Sequence, residues 1–266
     1  MERGSQVKYF VISDPHGFYT KTRQALKDAG FFDEGEDGKL VLLGDLLDRG
    51  DEPCEMVEFM YMLKRQGRLI YITGNHEWLL VKMLGELAKG DISMHHIING
   101  TWDTAKRLSG MPDGMAESYP DEVIRGVRKS RFYTELLPFG VNYFETKNYV
   151  FTHGYIPCDK VREEDGVRYY YRDDWRDADA LDWQSASWLN GMEMALDHGV
   201  KEEGKTIVVG HVRASYGHSR YSGICTERGE DAIYTPFYDD GIIAVDGCTV
   251  RSGVVNCVVI QDEPLE

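Results

Sequence analysis

Five short segments carry side chains able to do chemistry. They share one layout: an apolar strand-like run, a tight turn, then an acid, amide or imidazole group. The segments are Asp14-Pro15-His16-Gly17, Gly44-Asp45-Leu46-Leu47-Asp48-Arg49-Gly50, Gly74-Asn75-His76-Glu77, Thr152-His153-Gly154 and Gly210-His211. Carboxylate, imidazole and amide oxygen suit Mn²⁺, Fe and Zn²⁺. No thiolate is among them, which argues against a structural zinc site. Asp14 and His16, two apart on an extended turn, can grip one ion, and Asn75, His153 and His211 can grip a second. Asp45 falls between these groups and can bridge both ions through one carboxylate. Two ions about 3.5–4 Å apart lower the pKa of a shared water and clamp both oxygens of an in-line displacement. Taken singly, each residue is ordinary. A lone Asp after a strand usually caps a helix, and a lone His is more often a hydrogen-bonded group than a ligand. The spaced set is what points to a metal pair.

The elements that must position these groups follow from hydrophobic pattern. Val7–Ser13, Leu40–Leu43 and Arg68–Thr73 read as buried strands. Between and after them, Thr20 to Gly30, Glu52 to Gln66 and Trp78 to Ala88 read as helices, with Gly30 stopping the first and Pro53 in the first turn of the second. A β-α-β-α-β order implies a parallel sheet with right-handed crossovers, whose carboxyl edge is where sites are built. Further on, roughly residues 91–140 read as helical pieces with turn signals, a cap insertion over that edge. Asn142 to Thr152 reads as two strands joined by Thr146-Lys147-Asn148. Roughly residues 159–183, charged and rich in tyrosine, read as a loop-rich insertion, and Gln184 to His198 reads as one helix. Thr206–Val209 is another strand, and Ile242–Val245 with Val254–Ile260 reads as a hairpin. The predicted architecture is α/β: two packed mixed sheets flanked by helices, in one domain over residues 1–266.

The chain has 266 residues, 42% hydrophobic and 28% charged, as in ordinary globular proteins. Its net charge of -15 repels nucleic-acid backbones and anionic membranes, so neither a nucleic-acid polymer nor a membrane is an expected partner. The same charge repels a phosphate, which makes a local source of positive charge necessary; bound cations would supply it. Five cysteines, an odd number without a CxxC pair, fit reduced thiols in a cytosol better than a disulfide framework. The first apolar run is too short for a signal-peptide core or a membrane span, so a cytoplasmic location is expected. His95-His96 do not form a ligand pair, because adjacent helical side chains point about 100° apart. The Tyr169–Tyr171 run with Trp175 could stack on a nucleotide base or contact a peptide, although an aromatic loop packed on the core is the plainer reading. His218 has no assigned role.

In order, the five segments read DxH, GDxxDRG, GNHE, H and GH. The series resembles the calcineurin-like metallophosphoesterase superfamily over most of the chain, and is most similar to its bacterial phosphoprotein-phosphatase-like subgroup, which includes phage lambda phosphatase and symmetrical diadenosine tetraphosphatases. Asn99-Gly100-Thr101 with Thr104 resembles a cap motif of that subgroup. The resemblance implies that Asp14, His16 and Asp45 hold one metal and that Asp45, Asn75, His153 and His211 hold the other, manganese first, iron or zinc next. It implies that His76 protonates the leaving oxygen, that Asp48 fixes the His76 tautomer and keeps its pKa high, and that Arg49 grips phosphate oxygens with its planar fork. The implied nucleophile is metal-held hydroxide, so no phosphoenzyme forms. Many protein phosphatases of the family carry Arg just before the GNHE glycine. Here that position is Thr73, and Arg213 or Arg220 could replace the clamp.

Three functions are weighed on these grounds. The first is a phosphomonoesterase acting on phosphoprotein or a small phosphoester. The second is a phosphoanhydride hydrolase of dinucleoside polyphosphates such as diadenosine tetraphosphate. The third, a metal-binding regulatory protein without turnover, has no need of Asp48, Arg49 and His76.

Overall fold

The structure, a computed structural model, describes residues 6–35, 37–112, 114–164 and 166–265. The first five residues of the polar start and the middle of the Met111–Gly114 turn lie outside the described residues. The strands are β1 (Val7–Ile12), β2 (Gly38–Leu43), β3 (Leu69–Ile72), β4 (Tyr143–Glu145), β5 (Tyr149–Thr152), β6 (Cys158–Glu163), β7 (Gly166–Tyr171), β8 (Thr206–Val209), β9 (Phe237–Asp239), β10 (Ile242–Ala244) and β11 (Val258–Asp262). One sheet has the order β11-β1-β2-β3, with β1, β2 and β3 parallel and β11 antiparallel to β1. The other has the order β4-β5-β8-β10-β9, parallel at its centre and antiparallel at both edges.

Alternation along the strands builds the layers, because successive side chains face opposite ways. Tyr9, Val11, Val41 and Leu43 of the first sheet meet Phe151, Val208 and Ile243 of the second in a buried seam. The opposite face of the first sheet, with Phe10, Leu40 and Leu42, packs under α1 (Tyr19–Asp28), α2 (Pro53–Arg65) and α3 (Asn75–Leu87). The outer face of the second, with Val150, Ile207 and Val209, packs against Trp175 and Trp183. With both sheets buried on two faces, the central strands must be near-continuously apolar, as they are. Truncating one of these large side chains to alanine costs about 2–5 kcal/mol.

The β-α-β-α-β order stands as read, with α1 ending before Gly30 (φ 83°) and Pro53 at the first position of α2. The cap region forms α4 (Met94–Ile98), α5 (Thr101–Ser109) and α6 (Pro120–Lys129), packed on α2 and α3. Four expectations are corrected. α3 starts at Asn75, not Trp78, because Gly74 is extended and the Glu77 carboxylate accepts its N–H at 2.6 Å, closing the first turn. The 159–183 region is not loop-rich at its start: β6 and β7 form a two-stranded antiparallel ribbon. The helix expected over Gln184 to His198 is two helices, α7 (Ala180–Ala186) and α8 (Gly191–Leu196), because Asn190 caps the second by accepting the Met192 N–H. The hairpin expected at the end does not form: β10 joins the second sheet and β11 the first. β10 is buried throughout and β11 on alternate residues, and burial alone leaves the choice of partner open.

No helix among the described residues is long and apolar enough to cross a membrane. All five cysteines are free thiols.

Candidate metal centre

Every expected ligand sits just past the carboxyl end of a parallel strand. Asp14 and His16 follow β1, Asp45 follows β2, Asn75 follows β3, His153 follows β5 and His211 follows β8. The turns that aim them are strained. Seven non-glycine residues have positive φ among the described residues, and six are Asp14, His16, Asp45, Asp48, Arg49 and His211. Each such residue costs of order 1–3 kcal/mol, and that strain clusters at functional sites. The adjacent glycines are required by close approach: a Cβ on Gly50 would collide with the His16 carbonyl, and one on Gly74 would collide with the Asp45 carboxylate.

The hydrogen bonds on the outer ring nitrogens set the chemistry of the inner ones. His153 Nδ1 lies 2.6 Å from the Leu43 carbonyl and His16 Nδ1 lies 3.0 Å from the Leu47 carbonyl. A carbonyl only accepts, so Nδ1 of each ring carries the proton and Nε2 of the neutral ring presents a lone pair. His153 Nε2 faces Asn75 Oδ1 at 2.8 Å and Asp45 Oδ1 at 3.3 Å. His16 Nε2 faces Asp45 Oδ2 at 3.9 Å and Asp14 Oδ1 at 4.0 Å. Lone pairs thus converge on two points that share the Asp45 carboxylate, an arrangement that suits cations. Two groups, His16–Asp45–His76 and Asp45–His153–His211, have ligand atoms within 4.8 Å of one another. The acids register the crowding. Burial, then Asp246, raises Asp14 well above the usual carboxylate range, and burial, then Glu77, does so for Asp45.

Arg49 and His76 line the same cleft, of about 200 Å³. The Arg49 guanidinium lies 2.7 Å from His16 Nε2, 3.1 Å from His76 Nε2 and 3.2 Å from Asn99 Oδ1. His76 comes as near Asp45 (3.7 Å) as His16 does (3.9 Å), so distance does not separate their roles. Their Nδ1 partners do. His76 Nδ1 lies 2.6 Å from Asp48 Oδ2, a carboxylate able to stabilise an imidazolium. Burial and then Arg49 bring His76 down to about 2, and burial pushes Asp48 itself up to about 6. Burial, then His153, likewise holds His211 down at about 3.

Sequence reasoning missed several members. Asp246 follows β10 as Asp14 and Asp45 follow β1 and β2, but Asp246-Gly247 reads equally as a hairpin turn; it lines the cleft, and burial raises it to about 6. Glu77 lies buried under the centre and accepts the backbone N–H groups of Asp45 (3.1 Å) and Leu46 (2.9 Å), which ties α3 to the β2 turn. The Asn99-Gly100-Thr101 segment, singled out in the sequence by its cap-motif resemblance, docks on the same turn, Thr101 donating to Asp48 at 2.8 Å. Trp188 rims the cleft beside His211, with nothing in its sequence surroundings to mark it. Arg213 lines the cleft and pairs with Glu227, whereas Arg220 pairs with Asp197 at 2.8 Å and does not line it. His95 and His96 do not share a site: His96 is buried beside Glu86 (3.2 Å) and His95 is exposed. Trp175 is fully buried, which removes it as a stacking surface.

Two mixed sheets packed face to face under helices, with joined acid and imidazole clusters at their carboxyl edge, define a metallophosphoesterase-type fold. The chain belongs to the calcineurin-like phosphoesterase family, whose model matches residues 7–245. Shewanella-like protein phosphatase 2 of Arabidopsis thaliana is 38% identical over 77 residues, 25% of this chain and 20% of that protein. The asymmetrical bis(5'-nucleosyl)-tetraphosphatase PrpE of Bacillus velezensis is 31% identical over 107 residues, 38% of this chain and 42% of that protein. The match thus spans less than half the length of these curated relatives. A protein serine/threonine phosphatase from Saccharomyces cerevisiae shares the fold at 14% identity, with a TM-score of 0.54 over 98% of this chain and 81% of that one.

Proposed function

We propose that the chain is a dinuclear-metal phosphoesterase that hydrolyses phosphate esters by direct attack of water. The supporting observation is the convergence of acceptor groups on both oxygens of Asp45. Asp14, His16 and Asp45 would hold one divalent cation and Asp45, Asn75, His153 and His211 the other, manganese being the first choice for this donor set. Bound there, the pair supplies positive charge for the phosphate and lowers the pKa of water.

The chain's own residues do the rest. Arg49 presents a planar fork of donors at the cleft and grips two phosphate oxygens. A phosphate seated there neutralises the guanidinium that depresses His76, and the phosphate charge itself draws a proton onto His76 Nε2. With Nδ1 anchored on Asp48, that proton lies on the ring edge facing the cleft, available to the leaving oxygen.

Phosphomonoesters are the simplest substrates this machinery serves. A second reading, hydrolysis of the phosphoanhydride in dinucleoside polyphosphates, is supported by Thr73 in place of a second arginine clamp and by the names of relatives such as the Bacillus velezensis tetraphosphatase. The test is a panel of a phosphopeptide, diadenosine tetraphosphate and an aryl phosphate, each with Mn²⁺. Turnover of at least one that depends on Arg49 supports the proposal; no metal-dependent turnover of any would refute it.

A further inference from the structure

Trp188 is the large aromatic at the mouth of the cleft, and it is 46% exposed. Its ring stands edge-on to His211 at 5.7 Å, and His95 of the cap lies 6.4 Å away. The same side chain also walls an adjoining cavity of about 470 Å³ between the β6–β7 ribbon and α7. That cavity is bounded by Pro157, Lys160, Tyr169, Ser185 and Leu189 as well. The cleft that would hold phosphate and the cavity beside it therefore share one wall, an indole. Its carboxylate, Asp182, is taken by Arg172 at 2.6 Å, and Lys160 lies 5.8 Å from the centre of the Tyr169 ring.

Resting on the phosphoesterase reading above, we propose that this cavity seats the base of a nucleoside polyphosphate, stacked on Trp188, and so makes nucleotides the substrate class. Cavities of roughly this size hold one ring system with its sugar, mostly by apolar and aromatic contact. Lys160 in the cavity lining adds a positive charge to an acidic molecule, and the polyphosphate of such a substrate carries negative charge. An exposed indole on the wall of a cavity is a stacking platform of the kind that binds any base through its π-face.

The experiment compares kcat/KM of the Mn²⁺-loaded protein on diadenosine tetraphosphate and on inorganic tripolyphosphate, which offers the same anhydride without a ring. Trp188→Ala should lower kcat/KM on the dinucleotide by about 10- to 100-fold, mainly through KM, with Trp188→Phe keeping most of it. Ser185→Trp, which puts a large side chain into the cavity lining, should impair the dinucleotide alone and leave tripolyphosphate at the parent rate. Equal losses on both substrates would overturn the proposal, making Trp188 a mere support for His211. So would a parent enzyme that prefers a phosphopeptide. Adenosine titrated into metal-free protein, followed by intrinsic fluorescence, separates the two claims. Hydrolysis without adenosine binding sinks the cavity, whereas adenosine binding without hydrolysis of any phosphoester sinks the phosphoesterase reading instead.

Discussion

His76 Nδ1 lies 2.6 Å from Asp48 Oδ2, a carboxylate that also accepts Thr101 Oγ1 at 2.8 Å. The contrast with His16 and His153, whose Nδ1 atoms meet backbone carbonyls, is the observation behind the proposed split between proton carrier and metal ligands. His76→Ala and Asp48→Asn should each lower turnover of an alkyl phosphate by about 10²-fold or more while metal content holds. An aryl phosphate, whose leaving group needs no proton, should suffer far less. Equal losses on both substrates would remove His76 from the acid role.

Gly74 is extended, so its own dihedrals suit alanine, but a Cβ there would run into the Asp45 carboxylate, the Asp45 backbone nitrogen and the His153 ring. Gly74→Ala should therefore displace Asp45 and His153 and lose metal. Elemental analysis of the purified variant should find fewer ions per chain than in the parent, with circular dichroism unchanged.

Arg213 stands in the cleft with its Nε buried and without a hydrogen-bond partner among the described residues, and Arg220 stands outside it. Arg213→Ala should raise KM about 10-fold, the loss of one charge-assisted contact to phosphate, with little change in kcat. Arg220→Ala should leave both constants alone. The reverse pattern would assign the clamp to Arg220.

Away from the centre, Glu145 accepts Arg176 Nε (2.7 Å), Arg176 Nη2 (2.9 Å) and Lys205 Nζ (2.7 Å). Burial pushes this carboxyl up, but the donors more than offset it and hold it below its ordinary 4.5. A depressed acid contributes stability that is present above its unfolded pKa and is lost as pH falls through its folded pKa. Glu145→Gln should cost about 1.5–3 kcal/mol at pH 7. Its deficit against the parent should shrink below pH 4.5, which thermal melts across pH can follow. A deficit independent of pH would contradict the assignment.

The first three β-strands and the ligands after them are legible because each run is mostly apolar and breaks at a turn that carries a polar group. Leu40–Leu43 followed by Gly44-Asp45 leaves little else to read. The end of the chain was not legible for a physical reason. Ile242–Ala244 and Val258–Asp262 are both strands with buried β-branched residues, yet what separates them is a crossing between sheets, and a crossing has no residue signature. The same ambiguity hid Asp246. Trp188 was hidden because its importance comes from a neighbour 23 positions away, His211, and from a ribbon that folds beside it.

The central claim is that Asp45 lies between two cations. Crystals of the Mn²⁺-loaded protein, measured at the manganese absorption edge, test it most directly. Two anomalous peaks about 3.5–4 Å apart on either side of the Asp45 carboxylate, both lost in Asp45→Ala, are the predicted result. A single peak elsewhere, or full activity from metal-free protein, would contradict it.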